Sequence, residues 1–349
     1  MKFFHVIQFC TDLASASGVN CFCTELNREL RDESRIVRKT TDLPDSKEFK
    51  APLLIHIHGI WLREHHRAAK WARRHGIPIV WSTHGMTAPW SMHHKWWKKL
   101  PAWWLYQKRD LKHAAAIHCT TDLEVEWNNR LGFKNCFVAP LGAALSPASQ
   151  SNNQTVEQST VLKVLFVGRI YPVKGLMNLV RAAALIKQSE QSNNQTIRFR
   201  IVGPDQAGHL AELQREAAVL GVAGMFDWAG PKFGSELAAE YDQCDVLILP
   251  SFTENFGATV VDALSHGKPV IASRFTPWKV LEEERCGWWI DNTPDSLAQK
   301  LQDILSSPDR QGMFVEMGRR GRRLVERQFT WKAVAQAMMR AYKEVEVRV

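Results

Sequence analysis

Short apolar runs of strand length alternate with helix-length segments along the chain, and a polar stretch interrupts this alternation once. Before that stretch, the apolar runs cover residues 3–9, 53–58, 77–82, 115–119 and 136–140. After it, they cover residues 161–167, 197–202, 245–249 and 269–272. Strands that alternate with helices form βαβ units, in which helices cover both faces of a parallel sheet. The pattern therefore predicts an α/β protein built from two such halves.

The polar stretch marks the boundary between the halves. Residues 146–160 read SPASQSNNQTVEQST, with few large apolar side chains, which is typical of a linker. A chain of 349 residues has room for two domains of roughly 100–200 residues each. We expect an N-terminal domain over residues 1–145 and a C-terminal domain over 161–330. Residues 331–349 have a helical pattern with no strand after it, and such a helix can pack back on the N-terminal domain.

The N-terminus and the cysteines indicate the compartment. The first residues resemble a signal peptide in composition, but His5, Gln8 and Asp12 interrupt its apolar part, so residues 3–9 are interpreted as a buried strand. Seven scattered cysteines without a C-x-x-C pair argue for a reducing compartment and against disulfides or structural zinc. No apolar run approaches the roughly 18 residues that span a bilayer. We expect a cytoplasmic protein.

A basic loop in the C-terminal half is a candidate phosphate site. Residues 164–175 read VLFVGRIYPVKG, in which a strand leads through Gly168 into a loop flanked by Arg169 and Lys174. A helix follows, and a helix N-terminus with two cations suits a diphosphate. The G-x-G-x-x-G dinucleotide fingerprint is absent. Two solvated basic residues in a surface loop are the alternative.

A second segment, residues 250–272, carries two carboxylates and a turn that begins a helix. Glu254 lies at the mouth of this turn, and Asp262 lies further along the helix. The turn includes Asn255 and Phe256, and the amides near Gly257, Ala258 and Thr259 are free helix donors, so all five residues are candidate donor-binding residues. A carboxylate beside free amides can bind sugar hydroxyls, and a second carboxylate can hold a ribose. In the alternative, Glu254 caps the helix and Asp262 is a solvated helix residue.

Together the two segments resemble the donor-binding domain of the retaining glycosyltransferases of family 4, which have the GT-B fold. The family pattern G-R-x-x-x-x-K-G, which holds the donor diphosphate, is matched by residues 168–175. The pattern E-x-F-G-x-x-x-x-E, which binds the donor sugar and ribose, is matched from Glu254 to Asp262, and the likeness continues through GKPVIA at 267–272. Asp262 stands where the family usually has Glu. Its side chain is one methylene shorter and reaches a ribose through a closer helix or a bridging water.

The resemblance implies two Rossmann-like domains facing across a cleft and a retaining enzyme that needs neither metal nor cofactor. No D-x-D pair is present to hold a cation on the diphosphate, so Arg169, Lys174 and helix amides would neutralise the leaving group. The implied reaction moves a sugar from a nucleoside-diphosphate sugar to a glycan or lipid-linked acceptor. Bacterial surface polysaccharide biosynthesis, including that of lipopolysaccharide, is the setting that the resemblance implies.

Three residues of the N-terminal half join the candidate site. Gly18, preceded by Ser17, stands where the family has a glycine-rich turn next to the donor phosphates. His84 ends a predicted strand, where functional residues of open α/β sheets gather, and resembles the family's histidine near the donor sugar. We expect it to contact the sugar or the phosphate, with a turn-capping role as the alternative. His58 holds the equivalent place on the preceding strand and is a candidate acceptor or sugar contact.

A Trp-rich basic segment, residues 89–112, leaves two interpretations open. At helical spacing, one arc carries Trp96, Trp97, Leu100, Trp103, Trp104 and Leu111, and Pro101 starts a new helix or kinks this one. This arc either packs on the sheet with a solvated basic back, or lies on an anionic membrane at its inner face. The second interpretation suits a lipid-linked acceptor.

Two other functions fit part of the sequence. A nucleotide-sugar epimerase shares the architecture, although the Glu254 segment argues against it. A non-catalytic protein that binds nucleotide sugars or nucleic acid is compatible with the net charge of +9. No nucleic-acid module is recognisable, so we expect no nucleic-acid partner.

Overall fold

The structure, a computed structural model, describes residues 5–11, 18–31, 34–43, 53–146, 160–189 and 196–347. The described residues divide into two compact units, one within residues 1–142 and 329–349 and the other within residues 143–328. The unit boundary lies close to the expected domain end at residue 145. Residues 147–159 of the expected linker lie outside the described residues, and so does Ser17.

The described part of the first unit forms a six-stranded parallel sheet covered by helices. Its strands are β1 (His5–Cys10), β2 (Ser34–Val37), β3 (Leu53–His58), β4 (Ile79–Ser82), β5 (Ala116–Cys119) and β6 (Cys136–Val138). Its helices are α1 (Gly18–Leu30), α2 (Arg63–Arg74), α3 (Pro89–His93), α4 (Trp96–Ala102), α5 (Lys108–Lys112), α6 (Asp122–Arg130) and, from the chain end, α14 (Trp331–Val347). The strand order is β2-β1-β3-β4-β5-β6.

The second unit repeats this plan with its own six-stranded parallel sheet, ordered β12-β11-β10-β7-β8-β9. Its strands are β7 (Val161–Val167), β8 (Thr196–Val202), β9 (Phe226–Gly230), β10 (Val246–Leu249), β11 (Val270–Ser273) and β12 (Gly287–Ile290). Its helices are α7 (Leu176–Ser189), α8 (His209–Val219), α9 (Gly234–Gln243), α10 (Ala258–Ser265), α11 (Val280–Glu283), α12 (Pro294–Leu305) and α13 (Arg310–Gln328).

The predicted fold class is confirmed, since both sheets are parallel and alternate with helices. Three strands that the sequence did not predict, β2, β9 and β12, all lie at sheet edges. They are only partly buried. β2 and β9 each contain a charged residue and so lack the continuous apolar run of a central parallel strand, and β12 has only four residues, the first of which is glycine.

Strand order in the second sheet determines where a ligand can bind. The chain leaves β7 toward β8 and β9 and later returns to the other side of β7, where β10 pairs with it. The two loops that follow β7 and β10 therefore lie side by side at the carboxyl edge of the sheet. Such a reversal point leaves a crevice, and open α/β sheets bind their ligands there.

The first sheet has one apolar face and one partly polar face. Ile55, Ile57 and Trp81 pack with α2 on one side. On the other side, Val6, Leu54 and Val80 pack with α1 and α14, whose long helices cross this face. Successive residues of a strand point to opposite faces, so the residues that alternate with the apolar set share this second face. Five of them are buried polar side chains: Gln8, His56, His58, Ser82 and His118.

The Trp-rich segment differs from the single helical face that the sequence predicts. Pro101 lies inside α4, and a π-helical turn (Trp103–Gln107) follows it and shifts the helical phase. Trp103 and Leu111 are buried in the core, whereas the other members of the predicted arc, Trp96, Trp97, Leu100 and Trp104, are exposed. None of the helices in the described part of the chain combines the length and apolar character needed to cross a bilayer.

Candidate functional site

In the second unit, the loops after β7 and β10 meet through Lys174 and Glu254. The Lys174 ammonium donates to Oε1 of Glu254, and the hydroxyl of the buried Ser251 donates to the same oxygen at 2.7 Å. The side chains of Lys174 and Glu254 are 15% and 11% exposed, so water screens the pair only partly. The other carboxylate oxygen, Oε2, makes no hydrogen bond with any described residue and remains an acceptor for a ligand.

Close backbone packing holds these two loops together. The Phe252 amide donates to the Val173 carbonyl at 2.8 Å. Gly175 has φ +70°, and a Cβ there would lie 1.9 Å from the Pro250 carbonyl oxygen. A side chain at this position would push the two loops apart. The K-G dipeptide thus places Lys174 next to the end of β10.

Arg169 lies in the same loop but is exposed. Its guanidinium donates to Oε1 of Gln206 at 3.1 Å. Arg169 is therefore a cation at the carboxyl edge of the sheet whose hydrogen-bonding capacity is used only in part. A guanidinium in this position can bind two phosphate oxygens.

The turn that begins α10 supplies backbone donors. Gly257 has φ +82°, and a Cβ there would approach Leu249 and Trp278 at 3.0 and 3.2 Å. Trp278 donates from its indole nitrogen to the Phe256 carbonyl and packs edge-on against the Phe256 ring, which fixes the turn. The amides of Ala258 and Thr259 begin the helix and have no intrahelical partner.

Asp262 lies one turn further along α10 and is half-buried. Burial raises the pKa of its carboxyl to about 7, and the neighbouring Tyr241 hydroxyl lowers it in part. Tyr241 is itself buried, and burial holds the pKa of its hydroxyl well above the usual range. Asp262 thus faces Tyr241 of α9, and a direct ribose contact stays a prediction.

In the first unit, His84 lies in the turn that follows β4. Its backbone has φ +47°, an unfavourable conformation for a residue with a side chain. The turn is held by Glu124, a fully buried residue of α6. The carboxylate of Glu124 accepts hydrogen bonds from the Thr83 hydroxyl and the Gly85 amide, both at 2.6 Å. Its other oxygen accepts from the Thr120 amide at 2.8 Å and the Thr120 hydroxyl at 3.1 Å.

His58 lies behind His84 in the interior. Nδ1 of His58 is 3.1 Å from Nε2 of His84, and Nε2 of His58 is 2.6 Å from Oε1 of Gln8. His58 is fully buried and both its ring nitrogens are engaged, so it reaches a ligand only through His84. This position differs from the expected direct acceptor or sugar contact. Burial lowers the pKa of both histidines, that of His84 to about 3, with smaller contributions from neighbouring histidines.

Gly18 begins α1 and is exposed, with no atom of a described residue within 4 Å of a Cβ built on it. Nothing within the described unit therefore requires glycine there. Among the described residues, no group of three or more His, Cys, Asp or Glu side chains is arranged to hold a metal ion.

Glu124 and Gln8 carry no sequence signal that marks them as members of the site. The residues Thr121 to Glu124 match a capping box, and Thr121 does accept a hydrogen bond from the Glu124 amide at 3.2 Å. Because the cap already accounts for a glutamate at this position, the sequence gives no reason to expect a second contact. In the structure the Glu124 carboxylate also binds Thr83 of the His84 turn, which lies 41 positions away in sequence. Gln8 gave only the signal of a polar residue inside an apolar strand.

Two family models match the chain: Glycosyl transferases group 1 over residues 149–321, and the Glycosyl transferase 4-like domain over residues 29–142. Among curated proteins, D-inositol 3-phosphate glycosyltransferase of Salinispora tropica is 30% identical over 189 residues, covering 52% of this chain and 38% of that protein. The enzyme of the same name from Corynebacterium glutamicum is 31% identical over 224 residues, covering 58% and 50%. The matched region thus spans half or less of these relatives' length.

Solved structures share the fold over nearly the whole chain. Anabaena Alr3699/HepE in complex with UDP has a TM-score of 0.75 at 15% identity, covering 98% of this chain and all of that one. Sucrose-phosphate synthase from Thermosynechococcus elongatus has a TM-score of 0.73 at 21% identity, covering 99% and 100%. WaaG, a glycosyltransferase of lipopolysaccharide biosynthesis, has a TM-score of 0.64 at 12% identity, covering 95% and 98%.

Proposed function

Because the chain belongs to the group 1 glycosyltransferases, with a glycosyl transferase 4-like domain in its N-terminal half, we propose that it transfers a sugar from a nucleoside-diphosphate sugar. The observation that carries this proposal is the Lys174–Glu254 pair beside the start of α10, at the strand-order reversal of the second sheet. Solved structures with this fold were obtained with UDP and with UDP-glucose, which supports a donor of the same class.

The diphosphate, the sugar and the ribose of the donor are assigned to different groups of this site. The diphosphate is bound by Arg169, Lys174 and the first amides of α10, which stabilise the charge that develops on the leaving group. Oε2 of Glu254 accepts hydrogen bonds from sugar hydroxyls, since Oε1 is already occupied. His84 contacts the donor sugar, and Asp262 holds the ribose directly or through water. With these cations and amides present, we propose that the reaction needs no metal.

Retention of the anomeric configuration is part of the proposal and rests on the family resemblance. The preferred mechanism is a same-face transfer in which the leaving phosphate assists the incoming hydroxyl. Proton NMR of the product distinguishes the two configurations. An inverted anomeric centre would contradict the mechanism, while turnover in excess EDTA checks metal independence separately.

The acceptor that we propose is a glycan or a lipid-linked saccharide of bacterial surface polysaccharide assembly, such as lipopolysaccharide. The curated relatives are named for D-inositol 3-phosphate, which makes a phosphorylated polyol the second candidate acceptor. Assays with both acceptor classes separate the two. An epimerase would instead convert the nucleotide sugar without any acceptor.

A surface of the first unit supports a lipid-linked acceptor. Six apolar side chains near α3 and α4 are 43–74% exposed, and we name them the Trp surface: Trp90, Trp96, Trp97, Leu100, Trp104 and Leu105. Between Glu64 and Asp110 the sequence contains no acidic residue, whereas Lys95, Lys98, Lys99 and Lys108 lie within the segment. We propose that this surface binds the anionic inner face of the cytoplasmic membrane.

The donor is identified by a thermal-shift screen of UDP-, GDP- and ADP-sugars against the protein. A ligand at 100 times its dissociation constant stabilises the protein by about 2.7 kcal/mol, so the true donor stands out from the others. Transfer of its sugar to an acceptor then tests the activity. If no nucleotide sugar shifts the melting temperature, the proposed function is wrong.

A further inference from the structure

A continuous chain of buried hydrogen bonds runs through the first unit and ends at His84. We name it the histidine chain, and its members in order are His118, Ser82, His56, Tyr342, Gln8, His58 and His84. All except His84 are at most 1% exposed. They come from β5, β4, β3, α14 and β1, so the chain links the core of the sheet and the C-terminal helix to the His84 turn.

The deep end of the histidine chain fixes the direction of every hydrogen bond in it. Nε2 of His118 is 2.8 Å from the Ala139 carbonyl oxygen, which can only accept. Nε2 of His118 therefore carries the proton. Burial lowers the pKa of His118, so the ring is neutral and its Nδ1 is an acceptor. Nδ1 lies 2.5 Å from Oγ of Ser82, and the Ser82 hydroxyl must donate to it.

The hydrogen-bond directions in the middle of the histidine chain follow from the proton position on His118. With its own proton committed, Oγ of Ser82 accepts from Nε2 of His56 at 2.6 Å. Burial holds the pKa of His56 well below the usual range, so His56 is neutral and its Nδ1 accepts. The donor to this Nδ1 is the Tyr342 hydroxyl at 2.6 Å. The Tyr342 oxygen in turn accepts from the Gln8 amide nitrogen at 3.3 Å.

The same donor and acceptor assignment continues from Gln8 through His58 to His84. Oε1 of Gln8 accepts from Nε2 of His58 at 2.6 Å, which leaves Nδ1 of the neutral His58 as an acceptor. Nε2 of His84 donates to it at 3.1 Å. Reversing the Gln8 amide would reverse each bond and would leave His118 facing the Ala139 carbonyl with an acceptor. Only one direction is therefore compatible with neutral histidines.

We infer that the histidine chain holds His84 in the tautomer with its proton on Nε2, so that Nδ1 is a hydrogen-bond acceptor reserved for a hydroxyl group of the donor sugar. Gln8, His58 and Tyr342 are then positioning residues for His84. The tautomer follows from the hydrogen bonds of neutral histidines, whereas the ligand assignment rests on the proposed function.

With an acceptor at Nδ1, His84 is suited to contact the donor sugar and not the phosphates. Phosphate oxygens of a nucleoside diphosphate only accept at neutral pH, and they would face the lone pair of Nδ1. A sugar hydroxyl can donate to that lone pair. In the described residues Nδ1 of His84 makes no hydrogen bond, and Glu124 holds the turn that presents it.

The proton position is measured on the ligand-free protein. Long-range ¹H–¹⁵N spectra of protein labelled at its histidines distinguish protonated from unprotonated ring nitrogens, and His84 is assigned by the signal lost in His84→Gln. We expect the Nε2–H form. A wild-type His84 with its proton on Nδ1 overturns the inference, whatever the behaviour of the variants.

Two variants test whether the histidine chain determines the tautomer of His84. Gln8→Glu places a carboxylate against His58, which favours a doubly protonated His58 that donates to Nε2 of His84, so His84 changes to the Nδ1–H form. Tyr342→Phe keeps the ring but breaks the chain, and we expect a mixture of the two tautomers. The control Met338→Leu alters a buried neighbour on α14 and leaves the Nε2–H form in place. If the tautomer of His84 is unchanged in Gln8→Glu, the histidine chain does not control it.

Binding measurements then test the ligand assignment with UDP-glucose against UDP, and with GDP-mannose against GDP. In Gln8→Glu, we expect a loss of roughly tenfold or more for the nucleotide sugar that binds wild type, and little change for its free nucleotide. An equal loss for both members of the pair contradicts a sugar-specific role. If none of the UDP-, GDP- and ADP-sugars binds wild type, the proposed function is contradicted, but the tautomer is still decided by NMR.

Discussion

Glu254 shows how one carboxylate serves two purposes. Lys174 and Ser251 both donate to its Oε1, which fixes the side chain and leaves Oε2 for a ligand. The charge of Lys174 is at the same time held next to the start of α10. On the proposed function, we expect a change of Glu254 to alter both sugar binding and the position of a phosphate-binding cation.

We expect Glu254→Gln to lower transfer by roughly 10²-fold or more, because the amide keeps the size of the side chain but not the charge that fixes Lys174. Steady-state kinetics with the identified donor measure this. Glu283→Gln, which changes an exposed glutamate of the same unit, is the control and should retain activity. Near-normal turnover in Glu254→Gln would show that the site assignment is wrong.

In the first unit, the carboxylate of Glu124 has a structural role. Its buried carboxylate accepts four hydrogen bonds and holds His84 in a left-handed conformation. In Glu124→Gln, one pair of donors faces an amide NH₂ group, so we expect a loss of about 2–3 kcal/mol in the free energy of unfolding. Urea denaturation gives the value. The exposed Glu126 lies on the same helix, and Glu126→Gln should change stability by less than about 0.5 kcal/mol. Equal stability of the two variants would refute this role.

At the scale of elements, the break in the Trp-rich segment creates the Trp surface. The π-helical turn after Pro101 rotates Trp103 into the core and leaves Trp104 and Leu105 exposed. Lys98 and Lys108 lie 4.9 and 5.0 Å from the ring centres of Trp97 and Trp104. Cations and aromatic rings thus share one surface, as in proteins that bind at a membrane interface.

We expect the protein to float with vesicles that contain anionic lipid at low salt and to be released as salt screens the lysines. The triple variant Trp96→Ser, Trp97→Ser, Trp104→Ser should bind at least tenfold more weakly, because three interfacial aromatic side chains are lost. Phe233→Ser, at an exposed aromatic of the second unit, is the control. Absence of flotation at low salt would eliminate membrane binding.

The edge strands show which elements the sequence predicts poorly. A central strand such as β10, with the sequence VLIL, is buried on both faces and reads as a continuous apolar run. β2, β9 and β12 have one partner strand and expose part of their side chains. A charged residue interrupts the apolar signal of β2 (SRIV) and of β9 (FDWAG), whereas β12 (GWWI) is apolar but short and begins with glycine. Periodicity therefore predicted the interior of each sheet and missed three of the four edges.

At the scale of the whole molecule, the buried histidines make stability depend on pH. Burial lowers the pKa of five of them, with His65 at about 4 and His84 at about 3: His56, His58, His65, His84 and His118. In the unfolded chain these groups titrate near 6.5. Below that pH the unfolded state binds more protons than the native state, so stability falls as pH falls.

We therefore expect the melting temperature to drop between pH 6.5 and about 4. Each histidine contributes up to about 1.4 kcal/mol per pH unit in that window. Asp262 acts in the opposite direction, since its raised pKa makes the native state bind one more proton below about pH 7. One proton does not offset five. Scanning calorimetry across this range checks the sign, and a melting temperature that stays constant or rises toward pH 4.5 would contradict it.

The sequence by itself determined the fold class, the family and the two segments around Lys174 and Glu254. These features are local: apolar period, turn glycines and motif spacing each lie within a few consecutive residues. Only the tertiary structure decided what surrounds His84. Gln8 and Tyr342 are 334 positions apart in the chain, and Glu124 reaches the His84 turn from a helix whose sequence is explained by its own cap. Whether a buried polar side chain finds a partner depends on how strands and helices pack, and the packing brings together residues whose relation no local pattern records.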